Sequence, residues 1–529
     1  MIIWLACISF TGQSQVHAES YRFLTDRSIY IAGEEIYFRV INISPEELRE
    51  LNWSKVYYTE LVSPGGISYV QSKLALDSAG TSGSLRIPRN TPSGTYFLKG
   101  YTKWMRNFGP AGYSFISLEI VNPYTRAVLP ADTVAQYTTR LLPKETENNT
   151  SPVDLDNLKE DYEKRAPVRL NLTPDLQEGT VSCCVSVIRS GSMKRQVESD
   201  PFSGPGNPDH FNQIPETRGV SITGQVQFVE TGLPASYAVV YISVLGEEKT
   251  FHTNYADSSG RFYFSLPGMH GEADLFLSAN HDDPGELNLL VDQDFCTVPV
   301  VLPAFPAVIG QSDYDLIKEL SVHAQISERY RTDMPDTSVV QTEESSFFYG
   351  QPSVVIQFDD FIKLPTLQEY FTELTPQVAL RRSGGEMKFR VLGDHPDLDF
   401  YQPLLMIDGV AIFDTDAILD ISPRQIEKLE IVDAPYIKGN VTFGGIINII
   451  SRNNNMGFVD LPASGLLLNY HMLDEGVTGI KDQAPADPRI PHMRNTLYWN
   501  PEITLFQGES RIIEFQTGDV PGRYEVMIS

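Results

Sequence analysis

The 529 residues predict a mainly β, multidomain chain, with tandem β-sandwiches followed by a small α+β domain. Three observations lead there. Aromatic residues reach 11% and are punctuated by 38 Gly and 35 Pro, the composition of short strands joined by turns. Apolar and polar residues alternate in one short run after another through the first half of the chain. Beyond about residue 347, helix-period segments appear between strands. The length corresponds to roughly three or four domains.

The chain begins MIIWLACISFTGQSQVHA, an apolar start leading to Val16-His17-Ala18, a small-residue pattern that a signal peptidase accepts. Residues 1–18 are therefore read as a signal peptide, although no Lys or Arg precedes the apolar part. Cys7 lies too near the start to serve as a lipid acceptor behind an apolar targeting core. Residues 19–123 follow as strand after strand: SIYIAGEEIYFRVINIS around an Ala-Gly turn, VYYTELVSPGGISYVQSKLAL around Pro64-Gly65-Gly66, then SGSLRIP, SGTYFLKGYTKW and YSFISLEIVNP. Regular spacing with turn signals predicts a sandwich.

Residues 124–218 open on a polar, acidic stretch, ETENNTSPVDLDNLKEDYEKR, read as a linker or exposed helix. A second sandwich unit follows in VRLNLTPDLQEGTVSCCVSVIRSG. In it Cys183 and Cys184 point to opposite faces of one strand and read as small buried hydrophobes. With Cys296 they show neither zinc spacing nor a disulfide framework. The Pro- and Gly-rich run at 199–218 marks a boundary. Residues 219–305 give a third sandwich of seven or eight strands, through GVSITGQVQFVE, SYAVVYISVLG, DSSGRFYFSLPG and EADLFLSAN. In 306–346 a helix places Leu316, Leu320, His323 and Ile326 near one face, and a polar connection, RTDMPDTSVVQTEESS, comes after it.

Residues 347–452 mix helix and strand. LPTLQEYFTELTPQV sets Leu364, Leu367, Phe371 and Leu374 on one helical face, with Thr366 and Glu369 as a capping box. MKFRVL and PLLMIDG read as strands, and Asp408-Gly409 as a hairpin turn. Ser422, Pro423 and Gln425 signal a second helix, PRQIEKL, feeding strand LEIVD. GGIINIIS is a β-branched strand. Residues 453–529 read as a further C-terminal β-rich segment that ends within a strand.

These residues carry three family resemblances. Thr25-Asp26-Arg27, Tyr30, Gly33-Glu34, Pro88, Gly94-Thr95-Tyr96 and the run YTKWMRNFGP resemble the macroglobulin-like sandwich, in the version found in Bacteroidetes outer-membrane-associated proteins. Gly224, Pro234, Asp257, Gly260, Phe262 and Phe264 resemble the carboxypeptidase-regulatory-like domain, a structural spacer without peptidase chemistry. The 347–452 block resembles the plug domain of TonB-dependent outer-membrane receptors, through Leu405, Asp408, Gly409, Pro423, Ile426, Glu427, Leu429, Glu430, Ile431, Ala434-Pro435, Gly444, Gly445, Ile446, Asn448 and Ile449.

The plug resemblance implies structural or docking roles for Asp408, Gly409, Glu427, Glu430, Gly444, Gly445 and Asn448. It also implies a strand-adding box for TonB ahead of the block, where Asp336, Thr337, Val339 and Val340 are the matching residues. A plug normally sits inside a barrel. The 77 residues after Arg452 are fewer than the ~200 that about 22 strands need, so a partner is expected to supply any barrel.

Charge and missing motifs bound the chemistry. Lys and Arg total 41 against 68 Asp and Glu, a net charge of −27, which disfavours nucleic acid as a partner. No run of 18 apolar residues predicts a membrane-spanning helix. Metalloprotease, nucleophile-elbow and phosphate-loop motifs are missing from the sequence, as is the Cys-Gly-Glu-Gln thioester of macroglobulin traps. Asp359-Asp360 and His281-Asp282-Asp283 read as solvated or capping groups. No catalytic, cofactor or metal residue is assigned. The sequence thus points to a non-enzymatic binding or docking protein of the cell envelope, associated with the outer membrane and TonB-dependent uptake, whose partner is an outer-membrane β-barrel or TonB. The alternative is a macroglobulin-like protease-binding or scaffold protein.

Overall fold

The computed structural model describes residues 18–130, 141–143, 153–176, 179–199, 208, 210–246, 249–304, 311–330, 348–383, 386–453, 464–480, 487 and 489–529. The chain is mainly β and multidomain, as its composition predicts. It forms two compact units whose segments interleave in sequence. One takes Met1–Gly219, Phe295–Pro335 and Leu473–Ser529, and the other takes Val220–Asp294 and Asp336–Met472. The regulatory-like and plug-like segments, read separately from sequence, fall in the same unit.

The first unit holds two sandwiches. In one, a sheet of Tyr21–Thr25, Glu35–Asn42 and Gly80–Arg86 faces a larger sheet whose central strands are Val56–Val62, Gly94–Tyr101 and Ser114–Val121. Aromatic edges fill the space between them: Phe23 meets Phe38 and Tyr57 edge-on, and Tyr21 meets Tyr57. Gly100 has to be glycine here, because a Cβ would lie 2.2 Å from the Tyr57 hydroxyl oxygen.

The second sandwich is discontinuous in sequence. Strand Thr180–Arg189 is flanked on one edge by Thr496–Phe506 and on the other by Tyr524–Ile528, while Pro167–Pro174 pairs with Val153–Asp156 and Arg511–Gln516. The expected separate C-terminal segment is therefore a set of missing partners for strands three hundred residues upstream. The reason is visible in VSCCVSVI: residues 183–188 are all buried, and a strand buried on both faces has to be central. Pro501 is tolerated because its strand is an edge and the register is broken where it falls, between Cys183 and Val185. The acidic 124–165 stretch, read as a linker or helix, contributes strand Val153–Asp156 and no helix among its described residues.

Helix Gln311–Arg329 completes this unit. Leu316, Leu320 and Ala324 pack on Ile29, Ile31 and Val121, using the face read from the spacing. Ion pairs hold it at intervals along its length: Lys194 to Asp313, Arg189 to Glu319, and Arg86 and Arg89 to Glu328.

In the second unit, six strands between Val220 and Val291 form two facing sheets. A seventh strand, Leu466–His471, joins the edge of Glu272–Asn280 after the plug-like block. That block has a five-stranded mixed sheet in the order Val354–Gln357, Ile426–Val432, Ile446–Ser451, Leu404–Ile407, Val410–Ala411. Leu404–Ile407 and Ile446–Ser451 run parallel. Thr366 Oγ1 accepts from Glu369 N at 3.3 Å, capping helix Leu367–Leu374. The expected helix PRQIEKL is instead one 3-10 turn, Pro423–Gln425, running straight into strand Ile426–Val432. The β-branched and apolar residues at 426, 429 and 431 are fully buried in that strand, and this burial overrides the capping signal.

Strand Val239–Val244 joins sandwich to block. Val240, Ile242 and Val244 face the sandwich interior, and Tyr241 turns outward onto Phe251, Phe413 and Phe443. None of the described helices is long and apolar enough to cross a membrane.

In the first unit, Trp499, 1% exposed, packs against Leu24 of the first sandwich and Cys184 of the second. Trp499→Ala is expected to lower unfolding free energy by about 3–5 kcal/mol, measured by urea denaturation.

Candidate functional site

Four of the seven plug-signature residues converge on one buried network. Asp408 and Gly409 form the two-residue turn between Leu404–Ile407 and Val410–Ala411, with φ of 52° and 89°. Two successive positive φ values define the hairpin turn that favours Asp-Gly. The geometry aims the Asp408 carboxylate back at the sheet, where Ser451 donates to it from its backbone N at 2.8 Å and from its hydroxyl at 2.6 Å. Gly409 N donates to Asn448 Oδ1 at 3.3 Å, and Gly409 O accepts from Ser243 of the sandwich at 2.9 Å. Asn448, with no exposed surface, donates to the Tyr349 hydroxyl at 2.7 Å, and that hydroxyl donates to Glu430 Oε2 at 2.5 Å. Lys428 Nζ closes the chain 2.6 Å from Glu430 Oε1.

The electrostatics follow from burial. Tyr349 is pushed well above the ordinary phenol range by desolvation and by its bond to Glu430, so its proton stays in place. Desolvation pulls Lys249 below the usual ammonium range, while Asp408 and Glu430 oppose that pull. Each member of the network has internal partners, and the arrangement holds sandwich, hairpin and sheet together.

The remaining signature residues do other work. Glu427 is exposed on the strand that carries Glu430. Gly444 and Gly445 allow close backbone approach, since a Cβ would lie 2.2 Å from Tyr401 O at the first and 2.7 Å from Val432 O at the second. Asp336, Thr337, Val339 and Val340 lie outside the described residues. Asp359 forms a two-pronged bond to Arg452 at 2.7 and 2.8 Å, which holds it below the ordinary carboxylate range. Asp257 is the acceptor of a turn, taking bonds from Ser259 and Arg261. Among the described residues, no three His, Cys, Asp or Glu side chains stand where they would hold a metal ion. Cys183, Cys184 and Cys296 are buried.

A second polar cluster, in the first unit, joins Asp26, Arg27, Tyr30 and Glu34 of the sandwich motif to distant residues that the sequence did not connect with it. Asp26, with no exposed surface, accepts from the Tyr30 hydroxyl at 2.6 Å, from Thr496 Oγ1 at 2.5 Å and from Tyr37 N at 3.2 Å. Arg27, 3% exposed, reaches Glu34 at 3.0 Å and lies 4.6 Å from the Tyr30 ring centre. Glu34 also accepts from Asn495 at 2.7 Å, and His323 Nδ1 stands 3.1 Å from Asn495 Oδ1. Burial lowers His323 below the usual imidazole range. The half of this cluster within residues 26–34 was legible as a family motif. Its partners at 323 and 495–496 carry no local signal.

No protein-family profile matches the chain, and no curated protein matches it. Among solved structures, it is similar to the native conformation of alpha-2-macroglobulin from E. coli, at 8% identity, with 97% of this chain and 39% of that chain covered and a TM-score of 0.22. Salmonella alpha-2-macroglobulin reacted with methylamine gives 8% identity, 52% and 23% coverage and a TM-score of 0.16. Dimeric latent PorU from Porphyromonas gingivalis gives 8%, 52%, 34% and 0.14. The chain spans less than half the length of each, and likenesses this low assign neither family nor activity.

Two outcomes are expected for the second unit. Asp408→Ala strips the acceptor from two buried Ser451 donors and destabilises by about 2–4 kcal/mol, whereas Asp408→Asn, which tolerates the positive φ, costs less; chemical denaturation separates the two. Burial, reinforced by Lys438, pushes His252 down to about 4. The unfolded chain therefore takes up this proton first as pH falls below about 6.5. Stability is full above that value and declines toward pH 4. His252→Gln should flatten the decline in denaturation curves collected across that interval.

Proposed function

We propose that this chain is a non-enzymatic docking protein of the cell envelope, associated with the outer membrane, in which β-sandwiches carry a plug-like block toward a partner. The partner class is an outer-membrane β-barrel or TonB, and the setting is TonB-dependent uptake. The reading rests on the resemblance of residues 405–449 to receptor plugs. One structural observation supports it: Asp408, Gly409, Glu430 and Asn448, forty residues apart at the extremes, meet in one network that gives the block a defined sheet of its own. A network so fully engaged leaves its residues to shape the block rather than to act on a substrate, so recognition falls to the block's outer surface.

Affinity purification of the chain from detergent-solubilised outer membranes, followed by mass spectrometry, tests this reading. Co-recovery of a β-barrel protein or of TonB is expected. Recovery of the chain alone, from membranes in which known barrel complexes stay intact, overturns it. Should TonB be recovered, Val339→Pro is expected to abolish capture by a TonB C-terminal domain, because proline removes a backbone donor needed for strand addition.

A further inference from the structure

The run at 199–218, read from the sequence as a boundary, includes a segment laid across the first sandwich. Residues 210–216 belong to neither helix nor strand, yet they are held at three points. Phe211 stacks on Trp104, with ring centres 5.1 Å apart and planes 3° from parallel. Trp53 and Phe108 meet Trp104 edge-on at 5.6 and 6.0 Å. Asn107 grips the adjoining backbone: Asn212 N and Gln213 N donate to Asn107 Oδ1 at 2.9 and 2.8 Å, and Asn107 Nδ2 donates to Gln213 O at 2.9 Å. Glu216, with no exposed surface, accepts from the Tyr58 hydroxyl at 3.0 Å and pairs with the buried Lys103 at 3.2 Å. Its carbonyl accepts from Lys55 N at 2.7 Å.

Most of the receiving residues are close in sequence. Trp104, Asn107 and Phe108 lie on one 3-10 turn, Trp104–Phe108, directly after Lys103 and strand Gly94–Tyr101. Together they have the parts of a peptide site: an aromatic platform, an amide that bonds main chain whatever the side chains are, and a buried cation for one carboxylate. The occupant's hold is partial. Phe211 is 46% exposed and Ile214 62% exposed, and residues 210–216 join no strand ladder. Segments with few buried contacts open locally, at a cost well below that of global unfolding.

We propose that this surface is a recognition site for an extended peptide bearing an aromatic residue and, five positions on, a carboxylate, with residues 211–216 as its built-in occupant. A partner segment with that pattern displaces the occupant and takes over its three anchors. A tethered segment competes at about millimolar effective concentration, which keeps the site closed to incomplete matches. Charge sets the selectivity, because a segment lacking the carboxylate deprives the buried Lys103 of this counter-ion. The site lies within the first unit and does not depend on the role of the plug-like block.

The test uses the full chain and an acetylated, amidated peptide of the sequence HFNQIPET, residues 210–217. Phe211→Ala combined with Glu216→Gln removes two anchors from the chain's own segment. Calorimetric titration is expected to show the peptide binding this double variant at least about tenfold more tightly than the unaltered chain. The same peptide carrying Phe211→Ala or Glu216→Gln should bind the double variant at least about tenfold more weakly, and adding Asn107→Ala to the chain should abolish binding. In the unaltered chain, hydrogen exchange should show the Asn212 and Gln213 amides opening at least about a hundredfold faster than those of strand Gly94–Tyr101, and this measurement decides the matter even if the double variant fails to fold. The proposal is overturned if the peptide fails to bind the folded double variant at about 1 mM, binds it and the unaltered chain equally, or tolerates loss of its Phe or Glu. It is overturned equally if the Asn212 and Gln213 amides exchange only together with the strand.

Discussion

The first unit turns on the buried Asp26 and Arg27 and the half-buried Glu34. Removing ions from water is expensive, and such a group persists only where its partners are placed well enough to offset that cost. Here the partners come from remote parts of the chain. Asp26 takes its Thr496 bond across 470 residues of sequence, and Glu34 takes its Asn495 bond across 461. The cluster therefore specifies one arrangement of the first strands, the long helix and the late strands. A shifted arrangement would leave a buried carboxylate or guanidinium without its counterpart.

The second unit solves the same problem with less charge. Its network runs from a turn aspartate through asparagine and tyrosine to a glutamate on a neighbouring strand, and one hydroxyl from the sandwich reaches into it. Around that polar seam the aromatic side chains of Tyr241, Phe251, Phe413 and Phe443 exclude water. Polar groups fix the register and aromatic surface supplies the burial. The sandwich and the mixed sheet share that layer, which explains why they cluster as one body although their sequences read as two.

Much of this was legible in the residues. Strand-rich composition, the Asp408-Gly409 turn, the Thr366 cap and the apolar face of helix Gln311–Arg329 all follow from local rules. What escaped was pairing between distant segments. VSCCVSVI and AVVYISVL are apolar on both faces, a sign that each needs neighbours on all sides, but nothing local names those neighbours. The same limit hid the far half of the Asp26 cluster. The misread helix at PRQIEKL has another cause: its cap and proline satisfy helix-start rules, while Ile426, Leu429 and Ile431 are claimed by the sheet.

The interleaved order of the strands bears on how the protein comes into being. When strand Thr180–Arg189 leaves the ribosome, both of its lateral partners are still unsynthesised, and they arrive only some three hundred residues later. Contacts of such separation carry a large loop-closure penalty and form late. Until then an apolar strand has two open edges, the kind of surface on which chains associate wrongly. Biogenesis should thus depend on a holding factor that shields this strand, and a ribosome stalled before residue 496 would release a product whose second sandwich is unmade and whose Asp26 lacks its Thr496 partner.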